Sequence, residues 1–159
     1  MDAASGRIVA ATLTGREVDD AAQVGPLLDQ ITDPVASFTG DGAYDRPAVY
    51  ATVHERHPQA AVVTPPRADA VLSDMAATAP IQRDRHIQAI AVTGRMAWQR
   101  DSAYNRRARV EGQIGRWTQV IGDGRRFHTV KAQVTEVAIA AEVLNRMRDL
   151  GRPEAVRVA

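Results

Sequence analysis

"YNRRARVEGQIGRWTQVIG", Tyr104 to Gly122, sets one glutamate four residues after Arg107 and two after Arg109. On a helical wheel turning about 100° per residue, Arg107, Ala108, Glu111, Gly115 and Thr118 fall within roughly 60° of Tyr104. They form a polar stripe. Val110, Ile114, Trp117 and Ile121 form an apolar stripe beside it. An apolar stripe seats a helix on a core. Glu111 is therefore expected at the edge of the buried face rather than out in solvent. The simplest role for it is an i,i+4 pair with Arg107, a contact that stabilises a helix by only a few tenths of a kcal/mol.

With 159 residues the chain is long enough for one domain with a core. It has no cysteine, which excludes disulfides and thiolate metal sites and leaves oxygen and nitrogen as the only ligands. No apolar run approaches the length of a membrane span, and "MDAASGRIVA" lacks the basic start and apolar centre of a signal peptide, so the compartment expected is the cytoplasm. The formal net charge of +1 argues against a generic polyanion binder. The charge is unevenly spread, however. Arg83, Arg85, Arg95, Arg100, Arg106, Arg107, Arg109, Arg116, Arg125 and Arg126 face only Asp84, Asp101, Glu111 and Asp123 over the same stretch. That half reads as a phosphate-facing surface.

Along the chain, "RIVAATLT" (Arg7 to Thr14) alternates and is β-branched, which predicts a strand entered from the turn "DAASG". Asp19 or Asp20 can cap a helix whose buried face is Val24, Leu27, Leu28 and Ile31. "VASFT" (Val35 to Thr39) predicts a short buried strand running into the glycine-rich turn "GDGAYD". A helix follows from Pro47 to Arg56 with Val49 and Val53 inward, then a strand in "AAVVTPP" stopped by its prolines. Arg67 to Pro80 reads as loop or a marginal helix. Arg83 to Arg100 reads as a helix interrupted near Gly94, and a last helix spans about Ala132 to Leu150 with Val137, Ala140, Ala141, Leu144 and Met147 on one face, ended by Gly151 and Pro153. This order predicts an α/β layer with a largely parallel sheet.

Asp41 directly follows a strand's C-terminal end, where open α/β sheets present ligands. It could equally cap the next turn. Asp45, just before Arg46-Pro47, is read as a structural residue of the helix start. His54, His57, His86 and His128 have no metal-ligand spacing and are read as surface or loop residues. Neither a Gly-x-Ser-x-Gly elbow nor a Gly-Lys-Ser phosphate loop is present.

"SFTGDGAYD", "YNRRARVEGQIGRWTQVIG" and "EVAIAAEVLNRMRDLGRPE" together resemble the C-terminal half of the catalytic domain of DDE transposases of bacterial insertion sequences. That family carries a helix signature of Tyr, two residues, Arg, three residues, Glu, six residues, Lys, which Tyr104, Arg107 and Glu111 match. Thr118 stands where the lysine is expected, so that DNA contact is missing. The resemblance implies an RNase H-like α/β core with C-terminal helices, in which Asp41 and Glu111 are catalytic carboxylates and ligands of Mg²⁺ or Mn²⁺. Tyr104, Arg106, Arg107, Arg109 and Arg116 would then face DNA at transposon ends and target.

The resemblance also implies a first aspartate on the first strand of the core. No residue of this chain is assigned to it, since Asp2 is read as a hairpin-turn residue. The expectation is thus an N-terminally truncated core, inactive alone, with a full-length transposase or a second copy as possible partner. Two other readings stay open: a non-catalytic module that binds DNA or transposase, and a metal-dependent nuclease of the same fold. A core lacking a central strand has open backbone groups at about 1 to 3 kcal/mol each, against a domain stability of roughly 5 to 15 kcal/mol. The isolated monomer is predicted to lose its structure below about 60 °C in a calorimetric scan. A cooperative transition above that temperature would show that the strands had closed up.

Overall fold

The computed structural model describes residues 1–122, 124 and 127–151. Asp123, Arg125, Arg126 and Pro153, and the side chain of Arg109, lie outside the described residues. The chain forms two compact bodies, one of residues 16–108 and one of residues 1–15 with 109 onward.

The larger body is built on a βαβ unit. Strand β1 (Ser37–Thr39) pairs in parallel with β2 (Ala61–Val63), Phe38 opposite Val62, and helix α2 (Pro47–Arg56) makes the crossover. Pro47 opens α2, where its missing N–H costs nothing. Ahead of β1, Asp19 caps a 3₁₀ turn (Asp20–Gln23) that runs into α1 (Val24–Leu28). The core is Val24 and Leu28 of α1, Val49, Tyr50 and Val53 of α2, and Ala60 and Val62 at the strand, as the apolar spacing of both helices predicts. Tyr50 brings a hydroxyl into this core and satisfies it on Thr64 Oγ1 at 2.8 Å. Helices α3 (Gln82–Thr93) and α4 (Arg95–Asp101) follow, separated at Gly94, whose φ of +84° lies in the region that favours glycine. The predicted interruption is thus a true helix break.

A two-stranded sheet of three-residue strands leaves much backbone to satisfy. Helix α3 does this along the outer edge of β2. Val62 N–H donates to Gln82 Oε1 (2.8 Å), Gln82 Nε2 donates to Ala60 O (3.1 Å), and His86, one helical turn on, bonds Val62 O (2.8 Å). Two side chains at i and i+4 take the place of a neighbouring strand.

The loop between β2 and α3 is held by two buried acids. Asp84, fully buried at the third position of α3, accepts from Ser73 N–H (2.8 Å), Ser73 Oγ (2.7 Å) and Ile81 N–H (3.1 Å). These bonds, foremost that from Ser73 N–H, hold its carboxyl below the usual carboxylate range. Asp45 pairs both carboxylate oxygens with Arg83, at 2.7 and 3.2 Å, and accepts from Arg67 N–H at 3.0 Å. Its structural role stands, but the reason differs from helix capping: the cap position of α2 is Arg46, which makes no side-chain cap bond. Arg83 is correspondingly turned inward rather than toward a phosphate, with 15% of its side chain exposed.

In the smaller body, Asp2 shapes the turn predicted for it, accepting from Ala4 N–H and Ser5 N–H at 3.1 and 2.9 Å. The segment after it, where a strand is predicted, belongs to no strand ladder among the described residues. Helix α6 (Val130–Asp149) supplies the pairing instead. Asn145, buried, accepts from Ile8 N–H (2.8 Å) and donates to Ile8 O (2.9 Å), while Arg7 forms a two-pronged pair with Asp149. Helix α5 (Ala108–Val120) begins later than the wheel assumes, because Tyr104–Arg107 is a 3₁₀ turn. Its apolar stripe is not closed over either: Val110, Trp117 and Ile121 are half-buried, and Ile114 is 60% exposed.

Replacing Asp45 by Ala strands a mostly buried guanidinium, which costs about 3 to 5 kcal/mol in comparable pairs. Urea unfolding is expected to show a loss of that order for Asp45→Ala, and a double substitution with Arg83→Met is expected to lose less than the sum of the single changes. Additive losses would mean that the pair is not the tie described.

Candidate active site

Asp41 stands two residues past β1. Gly40 N–H continues the ladder by donating to Val63 O at 3.2 Å, and the chain then turns sharply. Gly40 is required there, since a Cβ at this position would lie 2.9 Å from the Tyr44 ring. Tyr44 in turn packs edge-on against Phe38 of β1, ring centroids 5.8 Å apart. Asp41 caps the 3₁₀ turn Gly42–Tyr44, its Oδ1 accepting from Ala43 N–H at 2.9 Å. The turn-shaping reading of Asp41 is the one seen here, carried by Oδ1, while Oδ2 lies on the other side of the carboxylate.

The second oxygen meets the signature. Arg107 Nη2 lies 3.4 Å from Asp41 Oδ2, a contact between residues 66 positions apart in the chain. Side-chain exposures of 32% and 45% make this a pair worth about 0 to 1 kcal/mol, so its importance is placement rather than stability. Arg106 is exposed, and Arg116 is half-buried in the smaller body. Glu111 sits in the first turn of α5, where the helix dipole favours a carboxylate, and it also belongs to the smaller body.

Tyr104 does not stand free. Its ring lies against Trp98, centroids 5.6 Å apart, and Trp98 stands edge-on to His86 at 5.5 Å. Trp98 Nε1–H donates to His86 Nδ1 at 3.0 Å, so Nδ1 must carry the lone pair and Nε2 the proton that goes to Val62 O. His86 is thus a structural helix residue, not the surface or loop histidine that its spacing suggests. Only its i+4 relation to Gln82 could have signalled this.

Two other arginines of the basic half are also engaged within the chain: Arg95 with Pro66 O at 2.9 Å and Arg100 with Asp101 at 2.8 Å. Among the described residues no group of three or more aspartate, glutamate or histidine side chains is close enough together to hold a metal ion. Within its body Asp41 offers one half-exposed carboxylate with an arginine on its second oxygen, which does not by itself fit a divalent cation.

Helices packed around a small parallel βαβ unit define an α/β domain. Residues 1–147 match the transposase DDE domain, and the chain belongs to the DDE transposases. This is a DNA transposition family that acts on DNA and typically uses a divalent metal. No solved structure matches the chain. No described helix is long and apolar enough to cross a membrane.

His86 generates a pH dependence. Burial pushes its imidazole below the ordinary value, and protonation of Nδ1 would set two N–H groups against each other at Trp98. The unfolded chain takes up that proton near pH 6.5 while the folded chain resists it. Stability from this group is therefore complete above about pH 6.5 and falls as pH drops below it, by up to about 1.4 kcal/mol per pH unit. Urea midpoints measured between pH 8 and 5 are expected to show this decline, and His86→Gln to remove its component. An unchanged profile in His86→Gln would contradict the assignment.

Proposed function

We propose that Asp41 and Glu111 are two of the acidic residues of a DDE transposase active site, set on an RNase H-like core. In this reading Arg106, Arg107, Arg109 and Arg116, with Tyr104 beside them, form the DNA-facing side at transposon ends and target. The observation that carries it is the approach of Arg107 to Asp41. Two parts of the pattern, read separately from the sequence, meet in one body although they lie far apart in the chain. A cation at that position can neutralise charge beside the carboxylate or meet a phosphate oxygen, because a guanidinium bonds either one with the same fork of donors.

A divalent metal held at such a site would supply positive charge to an attacking and a leaving oxygen. Asp41 and Glu111 would be its carboxylate ligands here. The first acid of the pattern is not assigned to any of the 159 residues. With two acids the charge of a divalent metal is poorly compensated, so in this reading the purified chain is inactive in strand cleavage and acts by binding DNA or transposase. Loss of Lys at the Thr118 position weakens its hold on DNA further.

The test is supercoiled plasmid incubated with the purified chain and Mg²⁺ or Mn²⁺. The plasmid is expected to stay intact. Metal-dependent nicking that disappears in Asp41→Ala would overturn the inactivity while supporting the site. Nicking that survives both Asp41→Ala and Glu111→Ala would overturn the site and favour a nuclease of another design.

A further inference from the structure

The turn that carries Arg107 is not placed by its own local preferences. It is entered through Ala103 at φ +58°, a left-handed conformation that burdens any residue with a Cβ. Ser102 Oγ, one residue earlier, is buried without a hydrogen-bond partner among the described residues. Two unfavourable features in succession persist only where the surroundings over-determine the backbone.

Those surroundings are the three rings. We propose that His86 and Trp98 are positioning residues that hold the Tyr104–Arg107 turn in register with the strand-end carboxylate, an inference that takes the site assignment of Asp41 and Arg107 from the proposed function. The path closes on itself. Phe38 of β1 lies opposite Val62 of β2. Val62 O accepts from His86 Nε2, and His86 Nδ1 accepts from Trp98 Nε1–H. Trp98, 3% exposed, packs on Tyr104, the first residue of the turn, and the turn ends at Arg107 beside Asp41, three residues past Phe38. Strand pairing sets one end of the path and the ring contacts set the other, so the distance between guanidinium and carboxylate follows from both.

Two features separate this arrangement from simple core filling. An aromatic cluster that only fills space needs no directed hydrogen bonds, yet both nitrogens of His86 are committed, one to the sheet and one to the indole. Tilted packing of Tyr104 on Trp98 also restrains a residue that is otherwise half-buried at the start of a short 3₁₀ turn. The charge that acts on His86 is Asp45, on the turn after β1, whose carboxylate is paired with Arg83 of α3.

The experiment is ¹H–¹⁵N NMR of the whole chain, following the Trp98 indole N–H and the Arg107 Nε–H from pH 7.5 to 5. Asp41→Asn marks the position that the Arg107 signal takes without the carboxylate charge. In the unaltered chain both signals are expected to move together with one midpoint below about 6.5. His86→Gln, which keeps a donor and an acceptor but does not titrate, is expected to hold the Arg107 signal at its neutral-pH position throughout. Trp98→Phe is expected to shift it at least halfway toward the Asp41→Asn position at pH 7.5. An Arg107 signal that ignores the Trp98 transition, or that titrates identically in His86→Gln, would overturn the proposal, and His86→Gln decides the matter if Trp98→Phe fails to fold. The readout contains no DNA. Failure of the active-site reading in the plasmid assay therefore leaves it standing, and uncoupled signals refute the positioning without touching that reading.

Discussion

Backbone polar groups at the edges of very short strands must find partners, and the fold is organised around that constraint. Each strand of the described sheet is three residues long, too short for ladder bonds alone to fix the layer. Gln82 and His86 supply the missing partners along β2, and Asn145 does the same for the segment at Ile8. In each body a helix side chain presents a donor and an acceptor to a backbone edge. The cost of an unmade bond, about 1 to 3 kcal/mol per buried group, makes these polar residues as important to the fold as the valines of the core.

The same economy governs charge. In a basic stretch the arginines invite an electrostatic reading, yet Arg83 and Arg95 are spent on the loop that follows β2. Asp45 and Asp84 are its counterweights. Asp84 is satisfied entirely by donors of the loop and helix start, which organises a segment with little periodicity of its own. Asp45 links the turn after β1 to α3, so the end of the strand that presents Asp41 and the helix that lines β2 share one anchor.

On that frame the site is a matter of convergence. Gly40 lets the chain turn under Tyr44, Asp41 divides its oxygens between the turn and Arg107, and the ring chain from Val62 to Tyr104 holds the arginine's own turn. The Asp41–Arg107 pair contributes little stability because it is part-exposed.

Helix α2 was legible to the residue, from Pro47 to Arg56, and the buried valines of α1 and α2 followed from their spacing, because burial on one helix face repeats with the helical period. Gly40–Asp41 and the signature Tyr104, Arg107, Glu111 were legible as motifs, since residue type and interval survive without any knowledge of contacts. Pairings carried by single side chains across long separations were not. Nothing local distinguishes Asp45 as the partner of Arg83, His86 as the acceptor for Trp98, or Asn145 as the partner of the Ile8 backbone. The strand expected from Arg7 to Thr14 shows the same limit: its alternation favours an extended chain, but a ladder requires a second strand, and the described residues offer it an asparagine instead. Periodicity and motif are properties of the chain itself. Partnership is decided only when the folded backbone brings a donor and an acceptor within hydrogen-bond distance.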